Sequence, residues 1–337
     1  MDEKNKDILL EVKHLKTSFF TQAGEVKAVN DVSYYIKRGE IIAVVGESGC
    51  GKSVTQMSVM QLVQSPPGKI VGGEVLFEGK NLLDYDRSSA EMRSVRGAEI
   101  AMIFQEPMTS RNPVFKIGTQ LSEVIMIHKK VDKKTAWQEG IKALEAVGIP
   151  DAASRMDNYP FQMSGGMRQR VLIAIAVACG SKLIIADEPT TALDVTTQAQ
   201  VMELLQSLVS RYGTSILMVT HNLGLVTRYA ERVYVMYAGR VVESGTTEDI
   251  LMHSVHPYTM GLLNSVPRLE AAEGERLVAI KGQPPRLSEL PDYCAFYPRC
   301  PYACEECKKG QPELLQVGPN EHFCACWVKN KEISYAE

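Results

Sequence analysis

The stretch Ile41-Ile42-Ala43-Val44-Val45-Gly46-Glu47-Ser48-Gly49-Cys50-Gly51-Lys52-Ser53 decides the fold class. Its first five residues are apolar and mostly β-branched, the composition of a strand buried on both faces. The remainder, Gly46 to Ser53, fits G-x-x-x-x-G-K-[ST], a phosphate-binding loop. Glycines let successive backbone N–H groups turn inward around a phosphate. The next helix aims the positive end of its dipole at the same anion. Lys52 has the reach for β- and γ-phosphates, and the Ser53 hydroxyl suits Mg²⁺. Gly46, Ser48, Gly49, Cys50, Gly51, Lys52, Ser53 and Val54 are therefore the candidate nucleotide-binding run. A nucleoside triphosphate is implied. Cys50, at a helix N-terminus and near Lys52, is expected to be a reactive thiolate that bound nucleotide protects.

Outward from this loop, residues 98–104, 183–186, 215–219 and 233–237 read as further buried strands, with helical patterns at 134–147 and 197–212. Strands alternating with crossover helices imply an α/β core around a mostly parallel sheet. Residues 9–35 alternate as strands without a helix, so an N-terminal antiparallel β subdomain is expected. With 45% hydrophobic and 23% charged residues, the chain is not disordered or low-complexity. A net charge of −3 gives no basic field for nucleic acid. The longest apolar run, 171–179, is nine residues, about half a bilayer crossing. The polar N-terminus is no signal peptide, so a cytosolic protein with reduced cysteines is expected. Six of its eight cysteines, Cys294, Cys300, Cys304, Cys307, Cys324 and Cys326, fall within 33 positions, in a region opened by Pro284-Pro285 and Pro291. The boundaries expected are a nucleotide-binding domain at 1–255 and a C-terminal extension at 256–337.

A second acidic strand ends in Asp187-Glu188. The aspartate suits Mg²⁺ and the next carboxylate can polarise an attacking water. Upstream, Ser164-Gly165-Gly166-Met167-Arg168-Gln169 opens a helix and offers another anion site. With this run the chain resembles the nucleotide-binding subunit of an ABC transporter, Met163 standing where leucine is usual. The resemblance covers about residues 8–255. It implies roles for Ser164, Gly165, Gly166 and Gln169 on ATP held by an opposite subunit, and for Asp194, in Thr191-Ala192-Leu193-Asp194, as the D-loop. Gln105 is its magnesium- and water-contacting glutamine, His221 its γ-phosphate switch, and Glu188, Gln105 and His221 the catalytic set. Phe19 sits where the family stacks an aromatic on adenine, with Phe20 the competing choice. Ser53, Gln105 and Asp187 would hold Mg²⁺. A helical subdomain at about 106–165 would receive the membrane subunits.

One phosphate loop and one signature make half of a working pair. The resemblance implies a second ABC ATPase subunit, identical or distinct, two transmembrane permease subunits and, indirectly, an extracellular solute-binding protein, at the cytoplasmic face of the cell membrane. No nucleic acid partner is expected. Gln105–Pro113, His256-Pro257-Tyr258-Thr259 and the run from Cys294 to Ala303 are similar to dipeptide and oligopeptide importers. In that branch four tail cysteines can hold a 4Fe-4S cluster, and the resemblance implies Cys294, Cys300, Cys307 and Cys326 for it, with Cys324 the competitor for the fourth place. Soft thiolates select Fe–S clusters or Zn²⁺, so zinc is the alternative. Nickel and glutathione importers use similar ATPases. A non-transport ABC ATPase usually carries two cassettes or a coiled-coil insertion, neither of which occurs here. A redox- or iron-sensing tail is compatible with the transport reading.

Overall fold

A computed structural model describes residues 7–105, 112–191, 193–265 and 280–330. Its strands are β1 (Ile8–Thr21), β2 (Gly24–Lys37), β3 (Ile41–Val45), β4 (Gly68–Phe77), β5 (Lys80–Asn81), β6 (Ile100–Ile103), β7 (Leu183–Asp187), β8 (Ser215–Thr220), β9 (Arg232–Tyr237), β10 (Arg240–Thr246), β11 (Leu315–Gly318) and β12 (His322–Cys324). Its helices are α1 (Lys52–Val59), α2 (Ala90–Val95), α3 (Ile117–Lys129), α4 (Lys133–Ala146), α5 (Ala152–Arg155), α6 (Gly165–Val177), α7 (Val195–Tyr212), α8 (Leu223–Tyr229), α9 (Thr247–Met252) and α10 (Pro257–Asn264). The chain forms two compact units, and each is discontinuous in sequence.

One unit gathers Met1–Ile8, Ile36–Ile41 and Asp84–Val219. Its strands β6, β7 and β8 run parallel, Ile100 opposite Leu183 and Leu183 opposite Ser215. Every residue of β7 and β8 is buried, as expected of parallel strands covered on both faces. Asp194 caps α7 by accepting from the Thr197 N–H at 2.9 Å, and Gly213 ends it in the left-handed region at φ 66°. Between these ends Val201, Leu204, Leu205 and Leu208 bury one stripe. Helices α3, α4 and α5 fill the described part of the segment expected to be helical. Residues 106–111 of that segment, and Ala192, lie outside the described residues.

The other unit gathers Leu9–Tyr35, Ile42–Leu83 and Thr220–Glu337. The expected antiparallel subdomain is a four-stranded sheet in the order β2-β1-β4-β5. Register shifts around Lys16 break the alternation of β1, so Thr17 and Ser18 are both buried. In the second sheet, β3 pairs with β9 in parallel and β9 with β10 antiparallel. The C-terminal extension joins that sheet, because β12 pairs with β10, Glu243 opposite Cys324, and β11 pairs with β12. Glu243, wholly buried, anchors this join. Its carboxylate accepts from the Val255 N–H at 2.6 Å and the His256 N–H at 3.1 Å, and meets His322 Nε2 at 2.9 Å.

Candidate functional site

The phosphate loop leaves β3 and enters α1, as its sequence requires. Gly46 and Gly51 have positive φ, and a Cβ at either would come within 2.2 Å of a backbone oxygen, Met236 O or Ala28 O. No other residue fits there without moving a strand. Lys52 is buried and donates from Nζ to the carbonyls of Gly46 at 2.8 Å and Glu47 at 3.0 Å, so the lysine arches back over the loop. Ser48 and Gly49 are exposed at its tip, and Ser53 and Val54 are half-buried on α1. Cys50 corrects an expectation. It is 4% exposed, and burial outweighs the nearby Lys52 ammonium and pushes the thiol pKa up. Desolvation disfavours the charged form, so burial favours the protonated thiol over the thiolate at Cys50.

In the same unit His221 follows β8 and is exposed. Phe19 is half-buried on β1 opposite Gly68, whose missing Cβ would lie 3.0 Å from its ring, while Phe20 is 52% exposed.

In the other unit Asp187 ends β7, 5% exposed. Glu188 follows with φ 49°, a left-handed conformation that non-glycine residues enter at a cost. Its N–H donates to the Val219 carbonyl at 2.8 Å, which holds that turn. Oε2 of Glu188 accepts from Gln105 Nε2 at 2.9 Å and from the Thr191 hydroxyl at 2.8 Å. The carboxylate is thus aimed by two side chains, one of which, Thr191, sequence reasoning placed only inside a motif. Ser164 caps α6 through the Met167 N–H at 3.3 Å, with Gly165 and Gly166 in the first turn. A Cβ on Gly166 would meet Thr197 Cγ2 at 2.6 Å, so the signature turn lies close against α7. Gln169 is 2% exposed and faces inward, its Nε2 without a partner. Asp194 is exposed as the cap of α7, and the Thr197 contacts hold its carboxyl below the usual range.

Cys294, Cys300, Cys307 and Cys326 line a single small cavity. Cys324 lies on β12 and is wholly buried beside Glu243, and Cys304 is exposed, its sulfur 3.8 Å from that of Cys307. Burial first, then the neighbouring thiols, push Cys294 and Cys300 up to about 11. Without a cation such thiols stay protonated, whereas a metal deprotonates its thiol ligands outright. Among the described residues no three His, Cys, Asp or Glu side chains are gathered as a ready-made site for a metal ion. Thiols are the donor type that Fe–S clusters and Zn²⁺ select.

Comparison with known proteins completes the assignment. The ABC transporter family model matches residues 29–191, and the oligopeptide/dipeptide transporter C-terminal region model matches 242–307. The chain belongs to the ABC transporter family. Among its relatives, the oligopeptide transport ATP-binding protein AppD of Bacillus subtilis is 51% identical over 91% of this chain and 93% of its own length. The oligopeptide transport ATP-binding protein OppD of Escherichia coli is 48% identical over 98% and 96%. A dimeric structure of MJ0796, a bacterial ABC transporter cassette, aligns at a TM-score of 0.63 and 25% identity, covering 71% of this chain and 98% of the cassette. The same cassette has been solved in a dimeric post-hydrolysis state bound to ADP and Pi, with the same TM-score of 0.63.

Proposed function

We propose that the chain is the ATP-hydrolysing subunit that energises peptide import through a membrane ABC transporter. The carrying observation is that Glu188 is held by Gln105 and Thr191, the arrangement of a base that must point at one water. The run Gly46, Ser48, Gly49, Cys50, Gly51, Lys52, Ser53 and Val54 binds the triphosphate, Phe19 takes the adenine, and His221 contacts the γ-phosphate. Ser53, Gln105 and Asp187 would hold Mg²⁺, which supplies positive charge to the phosphates when bound. Ser164, Gly165 and Gly166, with Asp194 and Gln169 behind them, complete the site of a second ATPase subunit. Exposure favours Ser164 for direct contact and leaves Gln169 to support the turn from within.

Closure of two such subunits excludes water and adds donors around the γ-phosphate, which strengthens electrostatic stabilisation of the transition state. Among the described residues no helix is long and apolar enough to cross a membrane. Two permease subunits supply the crossing, and this subunit works at their cytoplasmic face. Solute choice rests with those permeases and a binding protein. The peptide reading follows the relatives and the matched C-terminal region. Cys294, Cys300, Cys307 and Cys326 would hold a 4Fe-4S cluster, whose thiolate bonds would fix a loop-rich segment with little apolar core.

Glu188→Gln tests the assignment. The amide keeps an oxygen for both Gln105 and Thr191 but cannot take a proton. ATP turnover of the purified transporter is expected to fall by on the order of 10²–10⁴ with ATP still bound. Near-wild-type turnover would refute it.

A further inference from the structure

The phosphate loop is held from the C-terminal extension. Arg299 donates from one terminal nitrogen to Glu47 Oε2 at 2.6 Å and from the other to Oε1 at 2.9 Å, a bidentate pair across 252 positions of sequence. Its remaining N–H groups reach Lys281 O at 3.1 Å, Gly282 O at 3.3 Å and the Tyr237 hydroxyl at 3.4 Å. All five donors of the guanidinium are committed, and the side chain is 5% exposed. Glu47 is gripped at its backbone as well. Its N–H donates to the Tyr258 hydroxyl at 2.8 Å, and its carbonyl receives Lys52 Nζ at 3.0 Å. Arg299 therefore fixes the carboxylate of a residue whose carbonyl fixes the phosphate-reading lysine.

The other end of this arm is the cysteine turn. The Tyr297 N–H donates to Cys294 O at 3.0 Å, the Arg299 N–H to Phe296 O at 2.9 Å, and the Cys300 N–H to Tyr297 O at 3.3 Å. One short turn thus presents Cys294 and Cys300 to the thiol cavity and Arg299 to the phosphate loop. Phe296, 3% exposed, keys the turn against Tyr237 and Tyr258 at ring distances of 5.2 Å and 5.5 Å.

We infer that Arg299 is a positioning residue of the nucleotide site, through which the state of the cysteine turn sets the affinity of the phosphate loop for a nucleoside triphosphate. This rests on the reading of residues 46–54 as the ATP site. Two physical effects act together. A loop already fixed loses less conformational freedom on binding. The Glu47 carboxylate also sits in a loop meant for a polyanion, and Arg299 neutralises it. Without the guanidinium, an uncompensated negative charge faces the phosphates. The same turn carries Cys294, Cys300 and Arg299, so whatever holds the turn in place also holds the clamp. A loosened turn would form the clamp for only part of the time, and apparent affinity would fall with that fraction.

The test is an equilibrium titration of the full-length chain with methylanthraniloyl-ATP, together with steady-state ATPase kinetics. Arg299→Gln is expected to weaken the analogue about tenfold, raising KM for ATP while kcat changes little. Glu47→Gln in that background should recover most of the loss, because it removes the stranded charge. A merely structural role for Arg299 predicts no such rescue. Cys300→Ser should weaken binding several-fold in the wild-type background and have almost no effect beside Arg299→Gln. Wild-type affinity in Arg299→Gln, absence of rescue, or an equal Cys300→Ser loss in both backgrounds would each overturn the inference. If Arg299→Gln does not fold by circular dichroism, Arg299→Lys takes its place. That variant keeps the charge but loses the fork, and unchanged affinity in it would also overturn the inference. A wild-type chain that does not bind the analogue would instead sink the ATP assignment.

Discussion

Glu243→Gln is a change of one atom whose cost can be worked out contact by contact. The carboxylate is wholly buried, with Oε1 facing the Val255 N–H and His322 Nε2 and Oε2 facing the His256 N–H. A glutamine can keep its carbonyl oxygen at the first position, where two partners converge. Its NH₂ then points at the His256 N–H, donor against donor. One hydrogen bond to a charged acceptor is lost, about 1.5–3 kcal/mol, and a buried donor is left unmet at about 1–3 kcal/mol. Part of this is offset because a neutral amide is cheaper to bury than a carboxylate. The expected net loss is about 3 kcal/mol, roughly a hundredfold in the unfolding equilibrium. Urea denaturation at neutral pH should show a lower midpoint with an unchanged slope, and hydrogen exchange at the His256 amide should rise. A midpoint corresponding to less than about 0.5 kcal/mol of change would show that this carboxylate does not hold the extension to β10.

Acid should act at the same place. Burial lowers the His256 pKa from 6.5 to about 4 against the pull of nearby Glu243, and its Nδ1 accepts the Tyr258 N–H at 3.1 Å. The unfolded chain binds the proton more readily. The contribution, about 3 kcal/mol, is therefore complete above pH 6.5 and is lost as pH falls through 4, while His256→Gln should flatten that part of the stability curve. Anaerobically purified protein is expected to be brown with about four irons per chain. Cys326→Ser should bleach it and Cys324→Ser should not; iron-free protein with stoichiometric zinc would refute the cluster. Maleimide should label the exposed Cys304 well before Cys50, read by peptide mass spectrometry, and fast labelling of Cys50 would contradict its burial.

The strands of the core were legible because five of them are short apolar runs between glycine-rich or charged breaks, and β3, β7 and β8 are buried throughout. The phosphate loop was legible because backbone geometry near a phosphate admits few residues, and Gly46 and Gly51 face backbone oxygens that no side chain could clear. The features hidden from sequence depend on partners remote along the chain. Nothing around Arg299 announces Glu47, since a lone arginine between two cysteines has no pattern until folding supplies the carboxylate. The charge and helix terminus around Cys50 are local and argued for a thiolate. The burial that reverses the outcome is a property of the packed loop. Thr191 is only three residues from Glu188, yet its hydroxyl meets that carboxylate only once Glu188 turns back at φ 49°.

The pairing of β12 with β10 also bears on how this chain behaves in solution. A sheet that stopped at β10 would offer unpaired N–H and C=O groups from Val242 to Ser244 as a template for another chain. The hairpin of β11 and β12 covers Glu243 and Ser244 of that edge, the Ala325 N–H donates to the Val242 carbonyl at 2.8 Å, and the outermost strand is only four residues long, too short to recruit a neighbour readily. A cassette cut after residue 255 would expose that edge and is expected to self-associate more readily.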